Sequence, residues 1–199
     1  MANDNGPKVL VFAGSIRRES FNRKLGLAAV RALRATGLQT TWADLKDYPM
    51  PLYDGDTEAE QGLPERVQAF KALLAGHDAF VIASPEYNGS FPALIKNVVD
   101  WTSRAYPGEK PLAVFRGKLA AILSTSPGSG GGRRGLEHLR ALFERIGVIV
   151  IPEQVTLPRA AEAFDASGEL ARAEDREALE KLAASVVITL RDRVQAAQV

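Results

Sequence analysis

The sequence predicts an α/β fold: a five-stranded, mostly parallel sheet, doubly wound, with helices on both faces and strand order 2-1-3-4-5. Three observations predict it. Strand-like and helix-like segments alternate along the chain, the pattern of a parallel sheet sandwiched by helices. The strand segments, such as Val9-Leu10-Val11-Phe12-Ala13 and Ala79-Phe80-Val81-Ile82-Ala83, are continuous apolar runs rather than alternating ones, as burial on both faces requires. Right-handed crossovers leave few topologies for such units, and five strands fit the order 2-1-3-4-5.

The first strand spans Lys8 to Ala13. A helix follows from Ser20 to Thr36, with Leu25, Ala28, Ala29, Ala32 and Leu33 on its apolar stripe. Gly37 stops it, and the β-branched and aromatic run Leu38 to Ala43 is the second strand. Asp44 to Leu63 contains Pro49, Pro51, Gly55 and Gly62 and reads as a connection of about 20 residues, long enough to suggest a working or contact loop. Pro64 opens a helix to Ala75, and Asp78 to Ala83 is the third strand. Pro92 starts a helix carrying Leu94, Ile95, Val98, Val99 and Trp101, since a proline at the first helical position loses no hydrogen bond. A polar connection over 104–117 precedes a fourth strand, Lys118 to Ser124. The run Pro127-Gly128-Ser129-Gly130-Gly131-Gly132 reads as a flexible loop before a helix from Arg133 to Ile146. Val148 to Ile151 is the fifth strand. A last helix, Arg172 to Ala196, has Leu179, Leu182, Ala183, Val186, Val187, Leu190 and Val194 on one face. No repeat or linker divides the chain, so 1–199 is expected to form one domain with loose ends at 1–7 and 196–199.

Composition narrows the function. The 199 residues should bury roughly 70% of the unfolded surface, enough to need no staple. A formal net charge of +1 gives no field for a nucleic acid or a membrane surface. There is no cysteine, which excludes thiolate chemistry, Fe–S clusters and Cys-zinc sites, so redox chemistry would belong to a bound cofactor. The polar N-terminal segment has no apolar signal core, and no apolar run approaches the ~18 residues of a membrane span. The expected location is the cytoplasm.

Two loops carry the functional signal. Gly14-Ser15-Ile16-Arg17-Arg18-Glu19-Ser20-Phe21-Asn22 follows the first strand, and Pro85-Glu86-Tyr87-Asn88-Gly89-Ser90 follows the third. In the first, Ser15, Ser20 and Asn22 can donate to phosphate oxygens, Arg17 can pair charge, and the helix start adds backbone amides and a positive dipole end. The plainer alternative is that Ser20 and Asn22 only cap the helix. The loop lacks the Gly-Lys-[Ser/Thr] of a P-loop, which argues against ATP or GTP hydrolysis. In the second, Pro85 stiffens the strand exit, Tyr87 can lie against a flat ring, and Asn88 can bond the ring or hold the turn. Glu86 has no histidine or second carboxylate near it in sequence, and the plainer alternative is a turn with a packed aromatic. The two loops flank the point where the strand order reverses, the crevice in which this topology holds FMN. Together they describe a mononucleotide pocket, with Ser124, Thr125 and Ser126 near its floor.

Other patterns point elsewhere only weakly. Gly130-Gly131-Gly132-Arg133-Arg134-Gly135 matches G-x-G-x-x-G, with Glu153 near the acidic position, but a match inside a glycine run is weak and several residues separate it from Ser124. A loop lying over a cofactor ring is the better reading. His77 and His138 have no metal-spaced partners, and no triad, zinc pattern or carboxylate pair is present. The protein therefore supplies no catalytic residue on this reading, and the chemistry lies on the cofactor.

At these residues the chain resembles the NADPH-dependent FMN reductase family of flavodoxin-like proteins, the group that includes quinone, chromate and azo-dye reductases. The resemblance rests on residues 14–22; on Asp44-Leu45 with Pro49-Met50-Pro51-Leu52-Tyr53-Asp54; on Pro85-Glu86-Tyr87-Asn88-Gly89-Ser90 through Lys96-Asn97-Val98-Val99-Asp100-Trp101; and on Ser126-Pro127-Gly128. It implies non-covalent FMN, with Ser15, Arg17, Ser20 and Asn22 holding the phosphate and Phe21 also at the cofactor. Pro85, Glu86, Tyr87, Asn88, Gly89, Ser124, Ser126 and Gly128 would surround the rest of the cofactor. It implies NADPH or NADH as donor and a quinone or other small acceptor in a ping-pong cycle. It also implies a homodimer or homotetramer, in which the 44–63 loop and the helix after Tyr87 complete the partner's pocket. Two readings from other classes stay open: an FMN electron carrier, against which the +1 charge stands, and a non-catalytic nucleotide-sensing domain.

Overall fold

The computed structural model describes residues 6–196, apart from the Val194 side chain. Most of the ends expected to be loose, residues 1–5 and 197–199, and the Val194 side chain of the last helical stripe lie outside the described residues. Twelve described elements run in the order β1 (Lys8–Ala13), α1 (Phe21–Ala35), β2 (Gln39–Ala43), α2 (Gly55–Gln61), α3 (Glu65–Ala75), β3 (Ala79–Ala83), α4 (Ala93–Thr102), β4 (Leu119–Thr125), α5 (Arg133–Arg145), β5 (Ile149–Leu157), α6 (Ala160–Ala163) and α7 (Ala173–Ala196). The sheet order is β2-β1-β3-β4-β5 with every pairing parallel, as the sequence predicts.

Both faces are buried, which is why the strands read as unbroken apolar runs. Val9, Val11 and Ala13 face α1 and α7, where Leu25, Leu33, Leu182 and Val186 complete one core. Leu10 and Phe12 face the opposite layer, built by Phe70 of α3, Ile95 of α4, and Leu136, Leu139 and Phe143 of α5. Each helix after a strand runs back along the sheet, so α1, α4 and α5 all begin at the carboxyl edge.

Three elements differ from expectation. The connection 44–63 holds a short 3₁₀ turn, Leu45–Asp47, and α2. Asp54 caps α2 by accepting from the Asp56 and Thr57 amides, but α2 buries no residue, so it left no apolar period to read. Strand β5 runs on to Leu157 because Pro152 ends nothing: the register slips between Ala120 and Ile122, a β-bulge, and bulges tolerate a proline that cannot donate to the ladder. Arg140 braces that bulge, donating to the carbonyls of Val150 at 3.1 Å and Ile151 at 2.9 Å. The third difference is the single turn α6, which follows β5 directly.

The connection 44–63 is anchored to α4. The Pro51 carbonyl accepts from both Asn97 Nδ2 and Trp101 Nε1, each at 2.8 Å, and the Tyr53 amide donates to Asn97 Oδ1 at 2.7 Å. Trp101 is fully buried beneath it. Tyr53 stacks edge-on against Trp101. The Tyr53 phenol is pushed above its ordinary pKa, chiefly by its hydrogen bond to Glu58.

Candidate cofactor site at the carboxyl edge

The loop after β1 leaves the sheet beside β3, with the Gly14 amide donating to the Ala83 carbonyl at 2.9 Å. Gly14 lets α4 approach: a Cβ there would stand 2.5 Å from Ile95 Cδ1. Ser15 and Ser20 are buried at the two ends of the loop, and the exposed stretch 16–19 arches between them. Ser20 is the cap of α1, accepting from the Arg23 amide at 3.2 Å, so the capping reading holds. It does not exhaust the residue, because the hydroxyl proton remains free to donate. Ser15 Oγ likewise accepts only from the Arg17 amide. The Phe21 and Asn22 amides open α1 without a protein acceptor, and the Arg17 guanidinium has no partner among the described residues. These donors converge on a helix N-terminus, an arrangement suited to an anion.

Asn22 has a different task from the one its sequence position suggests. Its Nδ2 donates to the Thr125 carbonyl at 2.8 Å and its Oδ1 accepts from the Thr125 amide at 3.0 Å. The side chain braces α1 to the end of β4, leaving one amide proton for a ligand. Removing it would leave two buried backbone groups unpaired, at about 1–3 kcal/mol each. The Phe21 ring stacks on Phe164 at 6.2 Å, so what Phe21 offers the loop is its amide.

The loop after β3 is a two-residue turn. Tyr87 and Ser90 exchange backbone hydrogen bonds at 2.8 and 3.1 Å, with Asn88 and Gly89 both at positive φ, the geometry that Asn-Gly favours. Pro85 is buried at the strand exit, while Tyr87 stands 47% exposed. Between this tyrosine and the first loop lies a cleft of about 200 Å3, lined by Gly14, Ser15, Ile16, Arg17, Tyr87 and Pro92 to Leu94.

Glu86 turns away from that cleft. Its Oε2 accepts from the Gly135 amide at 3.0 Å, so it caps α5 from another loop. Ser90 Oγ and His138 Nδ1 meet at 3.1 Å, a second tie from the same turn to α5. His77 is structural, bonded to the Leu73 carbonyl and Thr41 Oγ1.

The glycine-rich stretch differs from the flexible loop expected of it. Ser126 and Gly128 are tied to the turn after β5 by main-chain bonds: Ser126 N to Leu157 O, Ala160 N to Ser126 O and Arg159 N to Gly128 O, at 3.0–3.3 Å. Gly131 and Gly132 are buried at positive φ. A Cβ on Gly131 would lie 3.1 Å from the Leu157 backbone, and one on Gly132 would fall 1.8 Å from Ser124 Oγ. Ser124 is wholly buried, and its hydroxyl has no partner. Gly131 and Gly132 of the apparent nucleotide fingerprint are thus packing requirements at the ends of β4 and β5, whereas a Cβ on Gly130 would meet nothing within 4 Å. Among the described residues no group of His, Asp and Glu is placed to hold a metal, and no helix is long and apolar enough to cross a membrane.

The donors fit a phosphate and the Tyr87 cleft fits the edge of a flat ring. Comparison with known proteins gives the family. Residues 7–162 match the family described as NADPH-dependent FMN reductase. The chain is 31% identical over 187 residues to a 2-hydroxy-1,4-benzoquinone reductase of a Burkholderia species, covering 94% of this chain and 97% of that protein. It is 37% identical over 175 residues to an NAD(P)H-dependent FMN reductase of Pseudomonas aeruginosa, with 87% and 90% covered. In structure it is similar to FerB, an NAD(P)H:(acceptor) oxidoreductase of Paracoccus denitrificans, with a TM-score of 0.79 at 28% identity over 94% of this chain and 98% of that one. A flavodoxin of Streptococcus pneumoniae, at 14% identity and a TM-score of 0.56, shares the fold.

Proposed function

The chain belongs to the NADPH-dependent FMN reductase family, and from that premise we propose that it is an FMN-dependent quinone reductase whose pocket is the cleft between the first and third loops. The family uses FMN with NAD(P)H as electron donor. When bound, FMN supplies the ring that takes a hydride from the nicotinamide and gives electrons to the acceptor. The observation that carries the assignment is the set of unpaired donors around α1: the Ser15 and Ser20 hydroxyls, the Phe21 and Asn22 amides and the Arg17 guanidinium.

The protein's part is positioning. The cradle at α1 fixes one end of the cofactor, and the rigid Asn88-Gly89 turn presents Tyr87 and its neighbouring backbone to the other. Glu86 and Asn22 hold the two loops on α5 and β4, so the pocket walls are set before binding, which limits the ordering cost of association. Relatives named as quinone reductases make quinones the first acceptors to test. Anaerobic titration of FMN-loaded protein with NADPH, with NADH in parallel, is expected to bleach the flavin absorbance stoichiometrically and benzoquinone to restore it. Bound flavin that stays oxidised with both donors would overturn the reductase reading in favour of a carrier.

A homo-oligomer belongs to the same proposal. Leu52 is 82% exposed on the connection anchored to α4, a placement suited to covering by a second copy. Leu52→Glu is expected to shift the sedimentation coefficient toward the monomer without lowering the melting temperature of the isolated fold. A wild-type protein that sediments as a monomer would sink this part.

A further inference from the structure

The turn after β3 holds a reactive pair. Asn22 and Asn97, the other asparagines of the described residues, are engaged at both ends of their side chains: Asn22 on the Thr125 backbone, Asn97 on the Pro51 carbonyl and the Tyr53 amide. Asn88 is exposed, and its carboxamide has no partner among the described residues. The residue after it is glycine. The Gly89 amide donates to no acceptor among the described residues, and the space where a side chain would stand is open.

These are the conditions under which a backbone nitrogen attacks the asparagine before it. An amide nitrogen becomes a nucleophile as it loses its proton, and a hydrogen-bonded N–H gives that proton up reluctantly. A side chain on the following residue would crowd the approach, and glycine has none. What resists the attack is the turn itself. Asn88 and Gly89 are both at positive φ, and Tyr87 and Ser90 exchange two backbone hydrogen bonds across them. That pair is an isolated bridge outside the sheet, so opening it locally costs far less than unfolding the domain. A ligand held against the closed turn would raise the cost.

We propose that Asn88 is a site of self-modification in the cofactor-free protein, and that bound flavin protects it. The protection rests on the proposed pocket beside Tyr87. The Gly89 nitrogen bonds to the side-chain carbonyl carbon of Asn88, the carboxamide C–N bond breaks, and ammonia leaves carrying the amide proton. Water then opens the cyclic imide at either carbonyl, leaving aspartate or isoaspartate. Aspartate keeps the turn, since Asp-Gly suits the same geometry, but puts a negative charge where the carboxamide stood. Isoaspartate lengthens the backbone of a two-residue turn and breaks its pairing. Protein left unloaded therefore loses its capacity for flavin with time.

The test incubates apoprotein and FMN-loaded protein at mildly alkaline pH and maps the tryptic peptide 72–96 for aspartate and isoaspartate. Conversion at Asn88 is expected in the apoprotein, with Asn22 and Asn97 intact. It should slow about tenfold or more with FMN at about a hundredfold excess over its dissociation constant, because only the cofactor-free fraction opens. Fluorescence quenching of added FMN follows binding capacity in the same samples. Asn88→Gly tolerates the positive φ and cannot form the imide, so its apoprotein should hold its own starting capacity while wild type loses its own. If Asn88 stays intact in the apoprotein while the excised peptide converts fully, the site is overturned. Equal loss of capacity in wild type and Asn88→Gly would overturn the link to flavin binding. Equal conversion with and without bound FMN would overturn the protection, and with it the placing of the ring at this turn, but not the site. Failure of FMN to bind at all would instead defeat the functional reading, while the apoprotein map would still decide the modification.

Discussion

Gly132→Ala is expected to destabilise the protein by about 2–5 kcal/mol, a large share of the ~5–15 kcal/mol that holds an ordinary domain together. Two separate costs add. Gly132 sits at φ 88°, ψ 20°, and a residue with a Cβ in left-handed backbone costs about 1–2 kcal/mol. The new Cβ would also fall 1.8 Å from Ser124 Oγ and 2.8 Å from Ser124 Cβ. Ser124 is fully buried within β4, so it has nowhere to swing, and overpacking of this kind costs about 1–3 kcal/mol. A double-mutant cycle separates the two. In a Ser124→Gly background the clash disappears and the backbone strain remains, so Gly132→Ala should cost only the smaller share, with a coupling of about 1–3 kcal/mol. Urea unfolding of the four proteins measures it. Additive effects would mean that the α5 start relaxes away from β4, and the account of the glycine run given above would fail. Ser124→Ala alone should be close to neutral, since it removes a buried hydroxyl that bonds to nothing.

The cycle also shows where reading the sequence stops. The sheet was legible because burial on both faces writes itself into β1, β3 and β4 as continuous apolar runs, and right-handed crossovers leave few orders besides β2-β1-β3-β4-β5. The gathering of Ser15, Arg17 and Ser20 at the start of α1 was legible because donors, strand end and helix start are neighbours in the chain. What escaped depends on partners distant in sequence. Asn22 reads as a donor until Thr125, 103 residues away, claims both ends of its amide. Glu86 looks like a pocket acid until the Gly135 amide, 49 residues on, takes its carboxylate. The run 130–135 imitates a dinucleotide fingerprint because the spacing of glycines is local, whereas Gly131, Gly132 and Gly135 answer to contacts with Leu157, Ser124 and Glu86. Pro152 is the same lesson for the fold: a residue that ends strands by local rule sits inside one, because the bulge and Arg140 accommodate it.

Ser20→Asp is expected to abolish tight FMN binding while leaving the apoprotein as stable as wild type, and it separates the two roles of that residue. As the cap of α1, Ser20 accepts from the Arg23 amide. Aspartate caps as well as serine, and its charge suits the helix dipole, so urea unfolding of the apoprotein should show no loss. As a phosphate ligand, the hydroxyl must donate, and a carboxylate cannot. Ser20 is 5% exposed, so the added charge would meet the phosphate with little water between them. Like charges about 4 Å apart repel by about 4 kcal/mol at an effective dielectric of 20. Even with half of that relieved by Arg17, the FMN dissociation constant should rise about 30-fold or more. Riboflavin supplies the control, because it carries the same ring without the phosphate and its affinity should not change. Ser20→Ala should do the reverse on stability, losing about 1 kcal/mol of cap, with a milder, roughly tenfold loss of FMN affinity. Flavin fluorescence quenching reads all three. If Asp at this position binds FMN as wild type does, the phosphate does not lie at the start of α1. If it weakens riboflavin equally, the residue meets the ring rather than the phosphate, and the two loops have been assigned to the wrong ends of the cofactor.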